Sequence, residues 1–105
     1  LSRPFSYNDE NFTVIGNILF VHFVDQKKRG ANEPVIEVPY EIFRRLVSLN
    51  NSTVVSVNYP YYVSTIVPIT VQMVGGKPFI AFSSERPVEP TYSRYYYCIY
   101  LLKDI

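Results

Sequence analysis

The run Ile18-Leu19-Phe20-Val21-His22-Phe23-Val24 constrains this chain more than any other segment. In an extended strand successive side chains point to opposite faces, so the run presents Ile18/Phe20/Val24 on one side and Leu19/Val21/Phe23 on the other. Both sets are apolar, which is the pattern of a central strand covered on both faces. His22 shares the first face, where an imidazole fits a core or interface position. The β-prone residues begin at Phe12 and are interrupted at Gly16-Asn17. That pair reads either as a bulge in one long strand, the reading favoured here, or as a tight turn between two strands.

Strand signals recur along the chain. Val35 to Val38 is a short candidate; Thr53 to Tyr59, Ile66 to Val74, Lys77 to Ser83 and Tyr95 to Leu102 are rich in β-branched or aromatic residues. Val67, Ile69, Val71 and Met73 share a face, and Gly75-Gly76 supplies the positive φ angles of a two-residue hairpin turn. A helix is predicted after Pro39, because Ile42, Phe43, Leu46, Val47 and Leu49 recur at helical spacing. Glu41 early and Arg44/Arg45 later suit the helix dipole, and Asn50-Asn51 reads as its stop.

Residues 1–10, polar apart from Phe5 and Tyr7 and containing Pro4, read as an extended N-terminal arm; residues 11–105 read as a single β-rich domain. Asp25 to Pro34, and Ser84 to Ser93 with Pro87 and Pro90, read as solvated connections. The expected fold is mainly β, an antiparallel β-sandwich or barrel with one short helix.

Composition narrows the function classes. The chain has 105 residues, 48% hydrophobic and 18% charged, which suits one folded domain with its own core. Ten Lys and Arg against nine Asp and Glu leave a net charge of +1, too little for a global field toward nucleic acid or an anionic membrane. No apolar run reaches the roughly 18 residues of a membrane-crossing helix. Ten Tyr and seven Phe without Trp give large contact areas suited to strands and interfaces.

Catalytic constellations are hard to find in this sequence. One Cys98 and one His22 allow a nucleophile–base pair only arithmetically; neither sits in a motif, and a lone Cys is most often a buried core residue. No spacing of His, Cys or carboxylates points to a metal or to paired acid–base groups, and Glu37 and Glu41 read as surface charges around a helix start. Gly75-Gly76-Lys77 lacks the rest of a phosphate-binding loop. No catalytic residue, metal or cofactor is expected.

Two binding surfaces can be named. Lys27, Lys28 and Arg29 form the densest positive cluster and could contact phosphates, although a solvated loop explains them as well. Tyr59, Tyr61, Tyr62, Tyr95, Tyr96 and Tyr97 could pack against a neighbouring subunit or stack on single-stranded bases. Tyr95/Tyr97 and Tyr96/Tyr100 fall on opposite strand faces, which splits a base-stacking platform and favours packing. Asn11-Phe12-Thr13, Asn50-Asn51-Ser52 and Asn51-Ser52-Thr53 match the N-glycosylation pattern, which matters only on a secretory route.

Two segments carry a resemblance. Ile15-Gly16-Asn17-Ile18-Leu19-Phe20-Val21-His22-Phe23 resembles the strand after a glycine in the capsid jelly-rolls of picorna-like viruses, and Val54-Val55-Ser56-Val57-Asn58-Tyr59-Pro60-Tyr61-Tyr62 is similar to their later strand with a Pro-Tyr-Tyr corner. The chain departs from that family in having Ile15 where an aromatic residue is usual, and in a length short for eight strands with their loops. The resemblance implies a jelly-roll-like or partial jelly-roll fold that builds a shell through subunit contacts. It also implies a location in a virion, and Leu1 would suit a chain cut from a polyprotein. Without the resemblance, the unpaired Cys98 fits a reducing, cytoplasmic setting.

The expected role is thus a non-enzymatic structural or assembly module whose partners are other protein subunits. The alternative is a small β-barrel that binds single-stranded nucleic acid through Tyr faces and the basic loop.

Overall fold

The computed structural model describes residues 5–57, 63–85 and 94–104. In chain order the elements are β1 (Tyr7–Asn8), β2 (Phe12–Ile15), β3 (Ile18–Asp25), β4 (Pro34–Glu37), α1 (Tyr40–Phe43), β5 (Asn50–Val57), β6 (Val63–Val74), β7 (Lys77–Phe82) and β8 (Arg94–Leu101). All strand pairs are antiparallel and form one sheet in the order β1-β2-β3-β8-β5-β6-β7-β4. The chain is mainly β with one short helix, and its sheet is curled into a half-barrel. Eight strands do fit into this length, because β1 has two residues and β2 and β4 four each.

The curl is visible in three rings. Phe23 on β3 and Tyr96 on β8 face each other in register and stack with centroids 4.9 Å apart. Phe82 on β7 lies 5.1 Å from Tyr96 and 6.4 Å from Phe23. In a flat sheet four strand spacings would separate β3 from β7 by roughly 19 Å. Meeting across that gap requires the sheet to bend around its own inner face.

The core fills that inner face. Phe12 and Val14 on β2, Leu19, Val21 and Phe23 on β3, and Tyr96, Cys98 and Tyr100 on β8 are buried there with Ile69, Ile80 and Phe82. Val38, Ile42 and Leu46 add to it from the segment around α1. At the end of β3 the buried Asp25 accepts two hydrogen bonds from Arg29, from Nη2 at 2.8 Å and Nε at 3.1 Å. Arg29 Nη1 also reaches the Pro34 carbonyl at 3.3 Å, so this clamp ties β3 to the start of β4.

Several expectations change. Gly16-Asn17 is a hairpin turn between β2 and β3 and not a bulge; Gly16 has φ +60° and Ile15 pairs with Ile18 across it. β3 is interior to the sheet but covered on one face only, with Ile18, Phe20 and Val24 exposed. The helix stops after one turn, because Leu46 is drawn into a bridge with Leu102 and the Val47 N–H donates to the Leu101 carbonyl at 3.1 Å. Asn50-Asn51 opens β5 and does not end a helix. Within the N-terminal arm, Tyr7–Asn8 pairs with β2, and the Arg45 guanidinium lies 3.9 Å over the Phe5 ring. The Gly75-Gly76 turn is as expected, with φ +59° and +80° between β6 and β7.

Two isoleucines on β6 test the division of the faces. Ile69 is 0% exposed and Ile66 68%. We expect Ile69→Ala to cost about 2–5 kcal/mol in urea unfolding, and Ile66→Ala less than about 0.5 kcal/mol in the isolated chain. Equal losses would contradict the assignment.

Candidate functional site

Alternation along the strands that bury the core must send every other side chain outward, and on β3 and β8 those side chains are also largely apolar, whereas β5 and β6 place Asn50, Ser52 and Thr70 among them. On β3 and β8 the outward residues pair as Ile18 with Leu101, Phe20 with Ile99, His22 with Tyr97 and Val24 with Tyr95. One row crosses four strands: His22 on β3, Tyr97 on β8, Val54 on β5 and Ile66 on β6 are consecutive register partners. Ile15 on β2 extends the surface next to Ile18. Ile99 is 57% exposed and Leu101 63%.

Ile15, Ile18, Phe20, Val24, Val54, Ile66, Tyr97, Ile99 and Leu101 together expose on the order of 900 Å², backbone included, against the 300–600 Å² of the largest apolar patch on a typical monomer. Among the described outward side chains of β2, β3, β5, β6 and β8 none is Lys, Arg, Asp or Glu. β3 is thus apolar on both sides, but among the described residues none covers the second side.

A ring stack lies within the patch. The His22 imidazole lies 4.8 Å from the Tyr97 ring at an interplanar angle of 22°, and 6.4 Å from the Tyr95 ring at 3°. At one end of the patch, Val47, Ser48, Asn50, Asn51, Ile99, Tyr100 and Leu101 line a shallow groove of about 250 Å³.

The sequence-predicted residues separate. Tyr95 and Tyr97 are on the outer face, while Tyr96 is buried in the core, so these three do not form one surface. Tyr59, Tyr61 and Tyr62 lie outside the described residues. The basic cluster is also divided. Arg29 is held by Asp25 at 2.8 Å, and Lys28 sits 3.9 Å from Glu85 on the surface. None of Lys27, Lys28 and Arg29 lies on the strands that carry the aromatic stack.

Cys98 and His22 are on opposite faces of the sheet, Cys98 inward opposite Val21 and His22 outward opposite Tyr97, so the structure does not bring them together. Among the described residues no group of three His, Cys, Asp or Glu gathers around a common point, and no helix is long and apolar enough to cross a membrane. The asparagines of the glycosylation patterns are engaged. Asn11 Nδ2 donates to the His22 carbonyl at 3.0 Å, Asn51 Nδ2 to the Ile99 carbonyl at 2.7 Å, and Asn50 Oδ1 accepts from the Thr70 hydroxyl at 3.1 Å.

Sequence reasoning had not singled out Ile15, Ile99, Leu101 and Ile66. The available signal was the second apolar set on β3, repeated on β8 as Tyr97/Ile99/Leu101.

Burial raises the Cys98 thiol to about 12 and leaves it 5% exposed. In the native state at pH 8 we expect iodoacetamide to modify Cys98 at least about 100-fold more slowly than in denaturant. Comparable rates would contradict its placement.

Comparison with protein-family models, with curated proteins and with solved structures finds no match to this chain.

Proposed function

We propose that this chain is a non-enzymatic structural module that works by assembly, burying the outer face of its sheet against other protein subunits. The observation that carries the reading is the apolar outer face of β3 and β8, extended by Val54 on β5 and Ile66 on β6, with no charged side chain among its described residues. Its cost in water is proportional to apolar area, and a protein partner removes that cost without having to desolvate charges. Shell building of the capsid kind, which the resemblance of Ile15 to Phe23 and Val54 to Tyr62 implies, is one form of such assembly, and in that form the chain is a viral capsid subunit or a fragment of one.

A second reading draws on the His22–Tyr97 and His22–Tyr95 stacks, since aromatic rings on a sheet can hold single-stranded bases. Against it, no outward Lys or Arg is available on the described part of that face to follow a phosphate backbone.

Sedimentation velocity on the purified chain separates the readings. We expect concentration-dependent association that persists at high salt, and Ile99→Asp to abolish it while leaving the far-UV β spectrum unchanged. A chain that is monomeric at every concentration and salt would count against the assembly reading. Oligonucleotide binding that weakens steeply with salt would favour the second.

A further inference from the structure

The geometry points to a specific occupant for the outer face: we infer that it is covered by a second copy of this chain, packed sheet against sheet about a twofold axis. This inference rests on the assembly reading above and names its partner.

Area is the first argument. A stable interface of standard size buries about 800 Å² on each partner, and the exposed apolar residues of the outer face offer about that much accessible surface. Charge is the second. In a twofold contact each patch meets itself, so any Lys or Glu near the axis would face its own like-charged copy. The described outward side chains of β3 and β8 contain none, and the face is therefore compatible with itself in a way that a charged face is not. A charged partner would be selected by complementary charge, and the described outward side chains of β3 and β8 offer none to complement.

The edges of the sheet supply the third argument, by disfavouring the other common route to a β dimer. Edge-to-edge pairing needs a long, regular, exposed strand. β1 has only two residues, and β4 has four, begins with Pro34 and shifts register between Pro34 and Ile36. Both described edges are poor templates, whereas the centre of the sheet is broad and apolar. Packed faces lie about 10 Å apart, which lets outward rings and branched side chains of the two copies interdigitate. The row His22, Tyr97, Val54 and Ile66 spans the middle of that contact, and the groove beside Ile99 and Leu101 can receive a side chain from the second copy.

The test combines mass with contact mapping on the whole chain. Light scattering after size exclusion, over about 1–200 µM, is expected to give a species of twice the 12.2 kDa chain mass. Ile99→Asp should weaken it by about 100-fold or more, and Lys77→Glu, on the exposed hairpin, should leave it unchanged. Phe20→benzoylphenylalanine should then photo-cross-link to β3 or β8 of another copy. If Ile99→Asp loses its β spectrum, Phe20→Ser on the neighbouring strand takes its place. Association with cross-links elsewhere, association insensitive to these substitutions, or closed species larger than two chains would overturn the face-to-face dimer while leaving the assembly reading standing. A strictly monomeric chain would overturn both.

Discussion

The contact of Phe23, Tyr96 and Phe82 across the inner face is the interaction on which the other features depend. Phe23 and Tyr96 are on neighbouring strands and would meet in any version of this sheet. Phe82 comes from β7, and its approach to 6.4 Å from Phe23 is what turns an eight-stranded ribbon into a half-barrel with an enclosed core. Aromatic pairs at these separations gain roughly 0.5–1.5 kcal/mol beyond simple burial. The larger contribution is the apolar area that the bend removes from water on β2, β3, β6, β7 and β8 together.

A curl of this kind can serve only one face. The strands that supply Leu19, Val21 and Phe23 to the core also carry Ile18, Phe20 and Val24, and the bend that buries the first set turns the second outward. Most half-exposed antiparallel sheets resolve this by placing polar residues outside. β3 does not, and the same choice is repeated on β8 with Tyr97, Ile99 and Leu101, while β5 and β6 do place Asn50, Ser52 and Thr70 outside. The apolar outer face of β3 and β8 and the short edges at β1 and β4 are the features on which the proposed assembly role rests.

What could be read from the sequence depended on how local its cause was. Gly75-Gly76 was legible because a two-residue turn with positive φ angles needs no more than those two residues. Gly16-Asn17 was ambiguous because a bulge and a turn place glycine alike, and only the pairing of Ile15 with Ile18 decides between them. The helix after Pro39 was over-extended because Leu46 and Val47 keep helical spacing while their backbone is claimed by Leu102 and Leu101. Asn50 and Asn51 looked like a stop, yet their side chains bond Thr70 and the Ile99 carbonyl across the sheet, partners distant in sequence. The outer face was half legible. Two apolar sets on β3 read as a strand covered on both faces, whereas only Leu19, Val21 and Phe23 are covered, because periodicity does not say what packs on a face.

The most direct test of the curl is a proton NMR experiment on the aromatic rings. If the sheet bends as described, nuclear Overhauser contacts connect the ring protons of Phe23 with those of Phe82 as well as with those of Tyr96, as the 6.4 Å and 4.9 Å centroid separations require. Contacts between Phe23 and Tyr96 with none from either ring to Phe82 would describe an open sheet and contradict the account.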